Sequence, residues 1–228
     1  MSPDSAFGIS DPFSSLSHFL GALSCLALAV PLARRAQPPK RAYLWVFSLS
    51  AVFLLTMSGL FHLLPRGSAS RDFAQRLDHA AIFTLIAGTF TAGHGLFFRG
   101  FWRSGMIVIF WAIGIAGLAV KVVLFEVISE GVGLALYLTM GWLGALAMVK
   151  LALNRDFHPA LHLFVGGVVY TAGAVAEFAG GEGWALIPGV IGPHELFHVA
   201  VLGGLGIHWR LFHDAAATWQ AQPLPVPA

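Results

Sequence analysis

His194 and His198 stand four residues apart in a long apolar stretch, so on a helix both imidazoles leave the same face and could grip one ion. A third imidazole, His62, ends another apolar stretch, again with a polar partner four residues before it, Ser58. Asp78 and His79 open a third stretch after a short connection. Three neutral imidazoles from His62, His194 and His198 would make a zinc site with its fourth position open, the arrangement of a catalytic rather than a structural centre. Asp78 could take a proton from an activated water, and Ser58, one helical turn before His62, could orient a ligand or that water. The same side chains could instead make separate hydrogen bonds between helices.

Other chemistry-bearing residues are weighed on the same terms. The run His194-Glu195-Leu196-Phe197-His198 fits the H-E-x-x-H pattern of zinc proteases. A further ligand downstream is missing, however, because Asp214 would lie about 24 Å along the helix. Glu195 turns away from the face shared by the two histidines and is expected to pack or to support the site from behind. His79 is expected to bond between helices, and His18 either to support the site or to sit at the membrane interface. His94, His158, His162, His208 and His213 fall toward the opposite side of the membrane, where solvated or interfacial positions are expected. Cys25, the one cysteine, lies in an apolar run and is expected to be core. Paired histidines holding a haem are a further alternative.

These residues need elements long enough to carry them through lipid. Of 228 residues, 57% are hydrophobic and 11% charged, roughly half the charged share of a soluble domain. Apolar stretches fall at about 13–33, 42–64, 78–98, 104–125, 132–153, 159–178 and 188–209, each near the ~20 residues that cross hydrocarbon. None shows the strict alternation of barrel strands, and backbone polar groups in lipid must be satisfied within the segment. The expected fold is therefore an all-α integral membrane protein, a bundle of seven transmembrane helices in one domain, 1–228. The flanking segments are a short tail over 1–12 and a disordered tail from about 215 to 228. This composition excludes soluble enzymes, nucleic-acid binders and disulfide scaffolds.

Breaks between stretches carry Arg34, Arg35, Pro38, Pro39, Lys40 and Arg41, then Pro65, Arg66, Gly67 and Arg71, then Asn154, Arg155 and Asp156, and finally Gly180 to Gly183. Trp45, Trp102, Trp184 and Trp209 sit near expected ends, where interfacial aromatics belong. Gly166, Gly167 and Gly173 permit close approach between helices. The first twelve residues carry Asp4 and Asp11 but no Lys or Arg, which argues against a cleaved signal peptide. Arg66, Arg71, Arg76 and Lys121 fall on the N-terminal side. Arg34, Arg35, Lys40, Arg41, Arg99, Arg103, Lys150, Arg155 and Arg210 fall opposite, so positive-inside reasoning puts the N-terminus outside.

The run from Leu77 to Thr91, beginning Leu77-Asp78-His79-Ala80-Ala81-Ile82-Phe83-Thr84, resembles the third-helix signature of the hemolysin III family, the bacterial branch of the progestin and adipoQ receptors. Ser58 to His62 resembles its S-x-x-x-H, Gly166 to Gly173 its G-G-x-x-Y-T-x-G, and His194 to His198 its H-x-x-x-H. The first helix departs: Asp11, Ser14, Ser17 and His18 stand where many relatives show E-x-x-N-x-x-T-H.

The wider group holds adiponectin receptors and alkaline ceramidases. The resemblance therefore implies zinc at His62, His194 and His198 with Asp78 and Ser58 nearby, and hydrolysis of a lipid acyl amide. Expected partners are membrane lipids and an acyl chain held within the bundle, in a bacterial cytoplasmic membrane, with no nucleic acid. Adiponectin receptors place their N-terminus in the cytoplasm, opposite to the charge count above. A noncatalytic zinc-containing sensor of membrane lipid state and a cytolytic membrane protein are the alternatives.

Overall fold

The structure is a computed structural model that describes residues 9–153, 157–180, 185–187 and 191–218. The expectations for Asp4, Asn154, Arg155, Asp156, Gly181, Glu182, Gly183, Trp184 and Gln222 to Ala228 lie outside the described residues.

The seven apolar stretches form eight helices. In chain order these are α1 (Pro12–Arg35), α2 (Pro38–Leu63), α3 (Ala69–Phe97), α4 (Phe101–Val123), α5 (Glu130–Trp142), α6 (Ala145–Leu153), α7 (Phe157–Gly180) and α8 (Pro193–Thr218). Among the described residues six spans are long and apolar enough to cross a membrane: α1, α2, α3, α4, α5 with α6 as one stretch, and α7. The protein is thus an all-α, multi-pass membrane bundle. α8 spans about 39 Å by its 26 residues and is diluted in apolar character by His194, Glu195, His198, His208, Arg210, His213 and Asp214. It packs on α7 and α1 and closes the bundle.

Hydropathy alone misplaces two helix ends, because helices continue past the lipid. α3 starts nine residues before the expected Asp78, at Ala69, where the Ser68 hydroxyl accepts the Arg71 N–H at 3.3 Å and caps the helix. α8 runs to Thr218, into the tail expected from 215; Arg210 and Asp214 pair across one turn at 2.7 Å. Its start is a capping box. Gly192 is the N-cap, Pro193 takes the first helical position, and the Glu195 carboxylate accepts the Gly192 N–H at 2.9 Å.

The fifth span breaks at Leu143 and Gly144, where the Gly144 N–H bonds the Gly141 carbonyl at 3.1 Å and tightens the chain. A side chain on Gly144 would strike the Phe90 ring of α3, so the break lets the fifth span lie against the core. The core is built mainly by α1, α2, α3 and α8, with Leu44, Phe47, Leu55, Leu96 and Phe212 fully enclosed. A smaller cluster, Phe83, Ala87, Phe110 and Met140, holds α4 and α5 to α3. Leucines and valines of α1, α4 and α7 remain exposed, as lipid-facing side chains must. Two of the three expected glycine contacts join α7 to α8: Gly166 packs on His208 and Gly173 on Ala200.

Candidate metal centre

α2, α3, α7, α8 and the residues around the start of α1 meet at one end of the bundle. His62 lies in the last turn of α2, while His194 and His198 occupy the first two turns of α8. Their ring nitrogens converge so that one from each residue lies within 4.8 Å of the others, and among the described residues this is the one such group of three. The Nε2 atoms of His62 and His194 are 3.0 Å apart.

That short distance has a chemical meaning set by the far side of each ring. His62 Nδ1 donates to Asp11 Oδ2 at 3.0 Å, and His194 Nδ1 donates to Glu177 Oε1. A carboxylate only accepts, so in the neutral rings both protons sit on Nδ1 and both Nε2 atoms present lone pairs. Two lone pairs facing each other at 3.0 Å repel unless a proton or a metal ion lies between them. Nitrogens bound to one tetrahedral zinc at 2.0–2.1 Å stand roughly 3.3 Å apart, so the donor set fits zinc. His198 adds a buried Nδ1 that has no hydrogen-bond partner among the described residues.

Asp11 is itself held. Arg66 Nη2 donates to its Oδ1 at 2.8 Å and Arg71 Nη2 to its Oδ2 at 2.6 Å. Burial would raise the Asp11 carboxyl, but the bonds from His62, Arg71 and Arg66 outweigh it and hold the group far below the usual carboxylate range. Arg71 also ties off the end of α2, donating from Nη1 to the carbonyls of Phe61 and Leu64 at 3.0 and 2.8 Å. The Asp11 N–H bonds the His62 carbonyl at 3.0 Å. This knot of charges fixes both the position and the tautomer of His62.

Asp78 and Ser58 stand beside the histidines as neighbours across the α2 and α3 interface, with His194 and Glu177 close enough to act on Asp78 electrostatically. Ser58 is buried. Its hydroxyl makes no hydrogen bond of good geometry among the described protein atoms. His18 stacks on His198 with ring centroids 3.9 Å apart and planes 14° from parallel, so it backs the site from α1. Glu195 serves the helix end and accepts from Ser14 Oγ at 3.2 Å, the supporting position expected of it. Cys25 is buried in the core.

Several expectations need correction. The His79 ring turns back on its own helix, its Nδ1 donating to the Gln75 carbonyl at 2.9 Å, and the bond between helices at this residue is made by its backbone carbonyl, which accepts from Tyr137 Oη of α5 at 3.1 Å. His94 and His208 are not solvated: they are 1% and 5% exposed. Each is paired with a backbone carbonyl, that of Trp102 or of Leu163, which lets an imidazole sit in an apolar interior. His158 is exposed, as expected for that side.

Two supporting carboxylates escaped the spacing argument. Glu177 had a legible signal, being the one charged residue of the stretch 157–180. Asp11 stands at the acidic position of the family's first-helix pattern, but spacing could not link it to His62, Arg66 and Arg71, which are more than fifty residues away.

An apolar cavity of about 170 Å³ starts one helical turn below this centre. Leu54 precedes Ser58 by four residues, Ile82 follows Asp78 by four, and Ala174 precedes Glu177 by three. Phe197 and Val201 follow His194 and His198 by three each. The helices that carry the site thus also wall the cavity.

Comparison with known proteins identifies the family. The family model described as haemolysin-III related matches residues 9–209. The chain is 27% identical over 195 residues to a protein named Hemolysin-3 of Bacillus cereus, covering 84% of each chain. It is 30% identical over 162 residues to a Hemolysin-3 homolog of Bacillus subtilis (strain 168), covering 70% of each. With a family match that spans all eight helices but for the last turns of α8, the chain belongs to the haemolysin-III related family.

Proposed function

We propose that the protein is a zinc-dependent membrane hydrolase that cleaves the acyl amide bond of a lipid. The observation that carries this reading is an apolar cavity whose nearest lining residues lie one helical turn from a three-histidine centre. His62, His194 and His198 would hold the ion. Bound zinc supplies Lewis acidity, polarising a carbonyl oxygen and lowering the pKa of a water to about 7.

The chain's own residues do the rest. Leu54, Ile82, Ala174, Phe197 and Val201 take the acyl chain and bring its carbonyl up to the histidines. Asp78 accepts a proton from the attacking water and passes it to the leaving nitrogen. The C–N bond breaks, a C–O bond forms, and the products are a fatty acid and an amine. The unpartnered Ser58 hydroxyl would orient the ligand or the water, while Asp11 and Glu177 keep His62 and His194 in the tautomers that direct Nε2 inward. In orientation, the cation-rich side carrying Arg34, Arg35, Lys40, Arg41, Arg99 and Arg103 would face the cytoplasm, placing the centre outside the bacterial inner membrane.

A second reading is favoured by the way the centre ties α2, α7 and α8 to the segment before α1: a noncatalytic zinc-containing regulator that responds to membrane lipid. The detergent-purified chain separates the two. Elemental mass spectrometry should find about one zinc per chain, lost in His194→Ala. Asp78→Asn should keep the zinc and the fold while amide hydrolysis falls by roughly 10²-fold or more. Native protein that is zinc-loaded and hydrolyses no acyl amide would favour the regulator, and protein without zinc would overturn both.

A further inference from the structure

The apolar cavity does not end in apolar side chains. Its far end is lined by His94 of α3, Tyr170 of α7 and His208 of α8, and each has a buried polar atom without a partner among the described residues: His94 Nε2, Tyr170 Oη and His208 Nδ1. The two histidines are 1% and 5% exposed, so bulk water does not satisfy them. Tyr170 and His208 touch, with ring centroids 5.6 Å apart.

The other ring nitrogens show what the unpartnered atoms are. His94 Nδ1 faces the Trp102 carbonyl and His208 Nε2 faces the Leu163 carbonyl at 3.4 Å. Carbonyls only accept, so those nitrogens carry the protons, and the nitrogens left over are lone-pair acceptors. The cavity end therefore offers two acceptors and one hydroxyl that can donate or accept. A buried polar group left unmatched is costly, and here three lie along one hollow.

The surrounding sequence makes room for them. Gly166 has no side chain where the His208 ring lies, and Gly204 none where the Tyr170 ring lies. Along α8, His208 is ten residues, about 15 Å, from His198; along α3, His94 is sixteen residues, about 24 Å, from Asp78. That span is the reach of an extended long acyl chain whose carbonyl sits at the histidine centre.

We propose that His94, Tyr170 and His208 form a polar subsite for a hydroxyl group carried near the distal end of the bound acyl chain. The hydroxyl donates to one imidazole nitrogen and accepts from Tyr170, so the cavity selects hydroxylated acyl chains over plain ones. The inference rests on the reading that the cavity takes an acyl chain, but on neither zinc nor turnover.

The test is binding to the full-length chain in detergent, by displacement of a fluorescent fatty acid, using hexadecanoic acid and the same acid with a terminal hydroxyl. The hydroxylated acid should bind about tenfold tighter, the worth of one or two well-placed buried hydrogen bonds. Tyr170→Phe, which removes one oxygen and no volume, should cut that ratio at least threefold, and a His94→Phe and His208→Phe double variant should bring it near one. Hexadecanoic acid itself should bind all of these equally. Equal binding of both acids to the native chain, as expected if an ordered water occupies the three groups, would overturn the subsite and leave the acyl cavity standing. A preference that survives in all the variants would also overturn it, and binding of neither acid would remove the cavity reading too.

Discussion

At the scale of single residues, the centre depends on two carboxylates that would not themselves touch an ion. Asp11 and Glu177 set the tautomers of His62 and His194, and without them either ring could turn a protonated Nε2 inward. Asp11→Asn and Glu177→Gln should each weaken zinc binding by about 10–100-fold, read by competition with a chelating dye, while the chain stays folded. An unchanged affinity in both variants would show that the ring orientation is held by packing alone. The sign for Asp11 follows from its depressed pKa. Its bonds to Arg66, Arg71 and His62 stabilise the fold above the ordinary carboxylate range near 3.9, and this contribution is lost only as pH falls well below it.

At the scale of elements, the geometry of α7 against α8 decides whether the two ends of the cavity stay in register. Gly173 lies against Ala200 with no space for a β-carbon, and neither backbone can yield cheaply. Gly173→Val should therefore cost about 1–3 kcal/mol and lower the thermal midpoint. Because Glu177 rides on α7 and His194 on α8, the same change should also lower zinc affinity. A variant as stable and as zinc-loaded as the native chain would mean that the contact between these helices is looser than its geometry implies.

At the scale of the whole molecule, the centre and the cavity are separable. Gly167 lines the cavity, and a β-carbon there would meet nothing within 4 Å. Gly167→Phe should fill the hollow without disturbing the histidines. The expected outcome is one zinc retained per chain with acyl binding, and any amide hydrolysis, reduced at least tenfold; a variant that binds fatty acid as the native chain does would place the acyl chain elsewhere.

The all-α membrane bundle was legible before any coordinates, because a ~30 Å hydrocarbon layer demands long apolar runs and the runs are there to be counted. The pairing of His194 with His198, and of Ser58 with His62, was legible because a helix puts residues four apart on one face, a purely local rule. The grouping of His62 with His194, 132 residues apart, came from shared depth and from the family resemblance, since no local rule gives it, and nothing in the spacing said that Asp11 and Glu177 stand behind them or that His94 and His208 are buried. Those facts depend on which helix packs against which, and packing is set by side chains that fit across large sequence separations, such as Ala200 on Gly173 and His208 on Gly166. Hydropathy records how deep a residue can sit, whereas the tertiary fold alone decides whom it faces there.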